Sequence, residues 1–172
     1  MEIKSKPTRY NGYEFRSRLE ARWAVFFDAI GIKFHYEYED FILPDGTRYL
    51  PDFYLPTFEA GCYGEVKSQF TDSEMMKCKQ LCFITGRKVL LLEGVPDFKC
   101  VKYFGIYEDK VQLCLAAIIH WKGRPYLFIE PGYQNDDGYI DEEYFDCLGE
   151  ELIKAVYASR EAKFEFGING LR

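Results

Sequence analysis

The chain has 172 residues, 48% of them apolar and 18% aromatic, which suits one folded domain with a sizeable core and excludes a disordered chain. Its longest apolar runs, such as "LCLAAII" from Leu113, are too short to span a bilayer, and "MEIKSKPTRY" has no signal-peptide core; a soluble, cytoplasmic protein with no membrane partner is expected. The net charge of −6 counts at first sight against a polyanionic partner.

Between Glu14 and Ile30, the residues Phe15, Leu19, Trp23, Phe27 and Ile30 recur at helical spacing. They predict a helix with one apolar stripe, ended by Gly31. "KFHYEYEDFIL" then reads as a strand with aromatic alternation, and "PDGT" as the turn after it. "RYLPDFYL" and "CYGEVKS" are two further strands, joined by a hairpin centred near Phe58 and Glu59. "TDSE" matches a capping box, Thr71 with Glu74, opening a helix that runs to Gly86. "KVLLLEG" has the continuous apolar character of a strand buried on both faces, parallel to its neighbour across that helix. Beyond residue 98 an antiparallel meander is expected, turning near Glu108–Asp109 and Lys122–Gly123, and then a final helix from about Asp141 to Lys163. The whole is one mixed α/β (α+β) domain over 1–172. Its core is α-β-β-β-α-β over about 12–94, with an extension of meander and helix over about 98–172.

Charge is not evenly spread along this order. Residues 136–151, "DDGYIDEEYFDCLGEE", hold eight acids and no base, so the remainder sums to +2. The first 22 residues carry six Lys or Arg against three Glu. A nucleic-acid partner is therefore compatible with the chain, although an acidic tract of this kind is ordinarily a solvated loop and helix start. The six cysteines form no CxxC pair. Cys78 and Cys82 lie one helical turn apart, which suits a core face as well as a metal, and reduced buried thiols are the favoured reading. His35 and His120 stand in aromatic, strand-like surroundings and read as core histidines. No Gly-rich phosphate loop is present, so no nucleotide cofactor is expected.

The chemistry concentrates in "RYLPDFYLPTFEAGCYGEVKS". A hairpin centred at Phe58–Glu59 sets Asp52 opposite Glu65, and Glu65 and Lys67 share a strand face. Two facing carboxylates repel unless a cation or a shared proton lies between them. Mg²⁺ takes one or two carboxylates plus waters and phosphate oxygens, and Lys67 could position a water or, as the neutral amine, deprotonate it, or steady charge on a phosphate as the ammonium. An exposed hairpin with a Lys67 ion pair would use the same residues for little energy. The apolar neighbours Tyr49, Leu50, Phe53, Tyr54 and Val66 point instead to a largely buried setting, where three charges are costly.

Here the chain resembles the PD-(D/E)XK nuclease superfamily, of restriction-endonuclease-like fold. Pro51-Asp52 matches its PD element, Glu65-Val66-Lys67 its (D/E)XK element, and "FRSRLEARWAVFFDAIGI" its first helix, with Glu20 at the metal-facing position. "SREAKFEFG" resembles the tail of small phage and bacterial nucleases of this type. The resemblance implies hydrolysis of DNA phosphodiester bonds with one or two Mg²⁺ (or Mn²⁺) ions. Asp52 would be the central ligand, Glu65 the second and Glu20 a further ligand or a water-orienting group, while Lys67 handles the attacking water. An i, i+4 pair of Glu20 with Arg16 is the plainer alternative for Glu20. Arg16, Arg18, Arg22, Gln69, Lys77 and Lys79 are candidate nucleic-acid contacts, with Lys154, Arg160 and Lys163 similar in kind. So short a chain favours a nicking, structure-specific or repair and recombination nuclease, or a homodimer that cuts both strands by symmetry. The alternatives are a strand-cleaving subunit of a transposase-like complex, or an inactive nucleic-acid-binding or regulatory module on the same fold.

Overall fold

A computed structural model describes residues 6–97, 101–128 and 150–166. The chain opens on a hairpin whose second strand takes Glu14 and Phe15 from the expected helix. Thr8–Tyr10 (β1) and Tyr13–Phe15 (β2) form a hairpin around Asn11-Gly12, whose φ angles are 47° and 81°. Two successive positive φ values are what a tight two-residue hairpin turn demands, and Asn-Gly supplies them most cheaply. The helix α1 therefore spans Arg18–Ile30 rather than beginning at Glu14, with Ser17 as its N-cap and Gly31 (φ 77°) ending it as expected.

The predicted strand over Lys33–Leu43 is broken into His35–Tyr36 (β3) and Phe41–Ile42 (β4), with Glu37 between them at φ 48°. "RYLPDFYL" is likewise split into Arg48–Tyr49 (β5) and Phe53–Leu55 (β6). Pro51, which cannot donate to a ladder, sits in the gap. β4 and β5 pair as a small separate hairpin across the predicted "PDGT" turn.

The remaining elements follow the expected order. Cys62–Lys67 (β7) leads into α2, Asp72–Thr85, through a complete Thr71–Glu74 capping box, and Gly86 closes that helix. Val89–Glu93 (β8) then returns parallel to β7. Val101–Tyr107 (β9), Lys110–Trp121 (β10) and Arg124–Phe128 (β11) form the meander, with positive φ at Glu108, Asp109, Lys122 and Gly123. Of the predicted final helix, the described part is α3, Glu150–Glu161; residues 141–149 lie outside the described ones, and so does most of the acidic tract. Glu165–Phe166 (β12) pairs with β1.

One seven-stranded mixed sheet, in the order β11-β10-β9-β8-β7-β6-β3, runs through the molecule. The meander thus prolongs the central sheet through β8–β9 pairing. On one face α1 and α3 bury Trp23, Phe26, Phe27 and Leu152 against Phe53, Val66, Leu90 and Tyr103. On the other, α2 buries Cys78, Leu81 and Cys82 against Tyr63, Val89, Leu91 and Phe104. β8 feeds both cores, which is why its sequence is an unbroken apolar run. The described thiols of Cys62, Cys78 and Cys82 are buried and unpaired, as expected. His35 departs from expectation: it is exposed, packed beside Tyr38 and Tyr54. No helix among the described residues is long and apolar enough to cross a membrane.

Candidate active site

β6 and β7 pair with Phe53 opposite Gly64, Tyr54 opposite Tyr63 and Leu55 opposite Cys62. Continued by one residue, that register sets Asp52 opposite Glu65, the alignment expected from the hairpin centre. The Asp52 side chain extends the ladder: its Oδ2 accepts the Val66 amide at 2.8 Å. Its Oδ1 takes the Arg16 guanidinium at 3.1 Å. Asp52 and Glu65 are buried, at 2% and 6% exposure. Lys67, two residues along β7 on the face of Glu65, places Nζ 2.6 Å from Glu65 Oε1. Glu65 Oε2 is buried and has no hydrogen-bond partner. A carboxylate oxygen out of water with nothing to accept from is costly, so it marks a place where a positive group belongs.

Glu20 lies one layer away, at the start of α1, and its oxygens are taken. Oε1 accepts from Ser17 Oγ at 2.7 Å, and Oε2 from the Arg16 amide at 3.0 Å and the Tyr36 hydroxyl at 2.5 Å. Ser17 Oγ in turn accepts the Glu20 amide. The local lock fixes the turn between β2 and α1, and with it Arg16, whose guanidinium spans Asp52 and Glu37. Arg16 thus meets the site from outside the helix.

The electrostatics follow from this crowding. Burial, then the charges of Glu65 and Glu20, push Asp52 up to about 8, against the pull of Lys67 and the Val66 amide. The Arg16 guanidinium is more than half exposed, so solvent screens much of its attraction for Asp52. For Lys67, burial works against the charged form, but Glu65 and Asp52 outweigh it and the ammonium is held above its ordinary range. Tyr36 is raised by burial and by its bond to Glu20. Tyr49, buried behind Glu65 with its hydroxyl 3.5 Å from Cys78 Sγ, is raised by burial and then by Glu65.

Among the described residues no three His, Cys, Asp or Glu side chains form a ready metal cage. Two carboxylates are nevertheless what Mg²⁺ ordinarily takes from a protein. The orphaned Glu65 oxygen beside the buried Asp52 carboxyl fits such an ion. Of the candidate nucleic-acid contacts, Arg16 is brought onto Asp52, Arg18, Gln69 and Lys79 are exposed, and Arg22 and Lys77 are half-buried. Ser17, Tyr36 and Glu37 were not foreseen as parts of the site. The "SRLE" pattern, a possible capping box, was the signal for Ser17.

A cleft of about 580 Å³ opens onto the site, lined by Arg16, Glu37, Tyr38, Arg48, Tyr49 and Glu65. A larger one, about 870 Å³, lies at the opposite end of β7 beside Cys62 and Lys88, away from the paired carboxylates. Of the paired carboxylates, Glu65 opens onto the smaller cleft. Comparison of the chain with protein-family models, curated proteins and solved structures finds no match.

Proposed function

We propose that the chain is a metal-dependent DNA endonuclease of the PD-(D/E)XK type. One observation carries the reading: Asp52 and Glu65 are buried face to face, Lys67 is bonded to Glu65, and Glu65 Oε2 is left without a partner. The order of parts is in keeping with it, since a helix bearing Glu20 is followed by the β6–β7 hairpin, the α2 crossover and a strand parallel to β7. Restriction-endonuclease-like topology is part of the proposal.

Asp52 and Glu65 would hold Mg²⁺ or Mn²⁺, and Glu20 would join them only by giving up Ser17 or Tyr36. When bound, the ion supplies Lewis acidity toward a phosphodiester oxygen. The chain's own residues supply the rest. Lys67 keeps its proton at neutral pH, so it acts as a donor that steadies negative charge on the phosphate and orients a water, not as a base. Arg16 is shared between Asp52 and Glu37 and is placed to pass to a phosphate oxygen.

The test is cleavage of supercoiled plasmid, linear duplex, a four-way junction and single strands with Mg²⁺, Mn²⁺ or EDTA. Metal-dependent cutting by the natural chain, lost in Asp52→Ala, is expected. The Arg16–Asp52 ion pair favours a second reading, in which the guanidinium permanently takes the cation's place and the chain is an inactive nucleic-acid-binding module. Absence of both cutting and metal binding on every substrate, with nucleic acid still bound, is the result expected of that second reading.

A further inference from the structure

On the α2-side face of the sheet, the cross-strand pair next to Asp52 and Glu65 is Tyr54 and Tyr63. Two residues of strand separate the pairs, about 7 Å. The Tyr54 and Tyr63 rings pack 5.3 Å apart. Tyr38 lies over Tyr54, with centroids 5.2 Å apart and planes at 18°, and His35 flanks both rings. Tyr38 is the outer layer: it remains 57% exposed although stacked. It also lines the same cleft as Glu65 and Arg16.

The stack is held in place from several sides. Glu37, at φ 48°, turns the chain so that Tyr36 points to Glu20 and Tyr38 back over the sheet. A non-glycine residue in that region is a local cost that the rest of the fold has to sustain. Glu37 is fixed by its amide on the Asp52 carbonyl and its carboxylate on Arg16. The Arg87 guanidinium lies 5.7 Å from the Tyr54 ring centre and bonds its hydroxyl. Gly61 leaves room for that hydroxyl, into which any Cβ would collide. The stack ends in an open aromatic face beside a charged site, on which another flat ring can stack.

We propose that Tyr38, backed by Tyr54 and His35, is a stacking platform for an unpaired base of single-stranded DNA, setting the neighbouring phosphate at Asp52 and Glu65. The substrate class follows from geometry. A ring face can stack only on a base whose own face is open, as in a single strand, a flap or a junction, and not inside a duplex. Repulsion of the strand by the acids of the cleft is moderated where Asp40 is paired with Arg48 and Glu37 shares Arg16 with Asp52, while Glu39 keeps its charge beneath the Tyr63 hydroxyl. With few free cations there, stacking rather than phosphate charge carries the affinity, and its dependence on salt is shallow.

This deepens the nuclease reading and rests on it for its biological use, but binding tests it apart from cleavage. Fluorescence anisotropy in EDTA would compare a short labelled single strand with a duplex of equal length. The natural chain should prefer the single strand, Tyr38→Ala should weaken that binding about tenfold, and Tyr38→Trp should restore it. Duplex binding should change little. No single-strand binding, or equal loss on both substrates, overturns the platform. If the platform fails while Mg²⁺-dependent cutting survives, the nuclease reading stands alone. If Tyr38-dependent binding is found without cutting under any metal, the platform stands and the nuclease reading falls.

Discussion

The start of α1 and the end of β7 each bury a glutamate to nearly the same degree, Glu20 at 7% and Glu65 at 6% exposure, yet their surroundings differ. Glu20 receives neutral donors on both oxygens, from Ser17, Tyr36 and the Arg16 amide. Glu65 receives one ammonium on one oxygen and nothing on the other. A carboxylate saturated by local donors is a structural lock; one left half-satisfied among other charges lowers stability until something binds. Burial alone does not distinguish the two roles. Partner count does.

The sharpest way to break the comparison is to neutralise each glutamate in turn. Glu65→Gln should lower cleavage by at least about 10–100-fold, the cost ordinarily seen for disturbing even the outer contacts of a metal site, while leaving the fold intact. Glu20→Gln should do the reverse, costing about 1.5–3 kcal/mol of stability through its broken bonds and leaving the cleavage chemistry largely in place where folded. Plasmid nicking and urea unfolding of both variants measure the pair. Equal loss of cutting in the two, with equal stability, would place Glu20 among the groups that act on substrate.

Stability against pH sharpens the same contrast. Asp52 is raised in the fold from 3.8 to about 8, so over that window the folded state holds a proton that the unfolded chain has lost. Stability present in full below about pH 4 must therefore fall as pH rises toward 8. Urea midpoints in EDTA should show this decline, and Glu65→Gln should flatten it by removing the largest neighbouring charge. Adding Mg²⁺ at pH 8 should recover stability in the natural chain by mass action. A flat profile in EDTA would mean that Arg16 and Lys67 already compensate the carboxylates in full.

Much of this frame was legible in the residues. The α2 capping box, the apolar β8 run, both meander turns and the Asp52–Glu65 register all follow from short-range patterns whose physics is local. The errors also have local causes. Asn11-Gly12 is a strong turn signal, and the apolar stripe places Phe15 in the helix because Phe15 packs into the same core from a strand. "SRLE" carries the same Ser/Thr-x-x-Glu pattern as "TDSE", and reading it would have started α1 at Ser17 and given Glu20 a capping task. Pro51 is itself a local signal for the break between β5 and β6, but the break at Glu37 and the placing of Asp52 were less accessible. They depend on Tyr36 reaching Glu20 and on Asp52 bonding Val66, contacts between segments distant in the chain. The same holds for the stack of Tyr38 on Tyr54.

The smallest expected effect is also the one that separates the two glutamates most finely. Ser17→Ala removes the donor to Glu20 Oε1 and the acceptor for the Glu20 amide in one step. Loss of such an N-cap should cost about 1 kcal/mol, read as a lowered urea midpoint. The freed oxygen faces two possible fates. If Glu20 serves only as the lock on the β2–α1 turn, Tyr36 and the Arg16 amide still hold it, and Mg²⁺ affinity measured by calorimetry stays as it was; this is the outcome expected. If the freed oxygen turns instead toward Asp52, whose pKa already feels the Glu20 charge, Mg²⁺ should bind more tightly in the variant. Glu20 would then be a third ligand that Ser17 normally withholds. The difference between a lock and a withheld ligand is thus carried by one hydroxyl group.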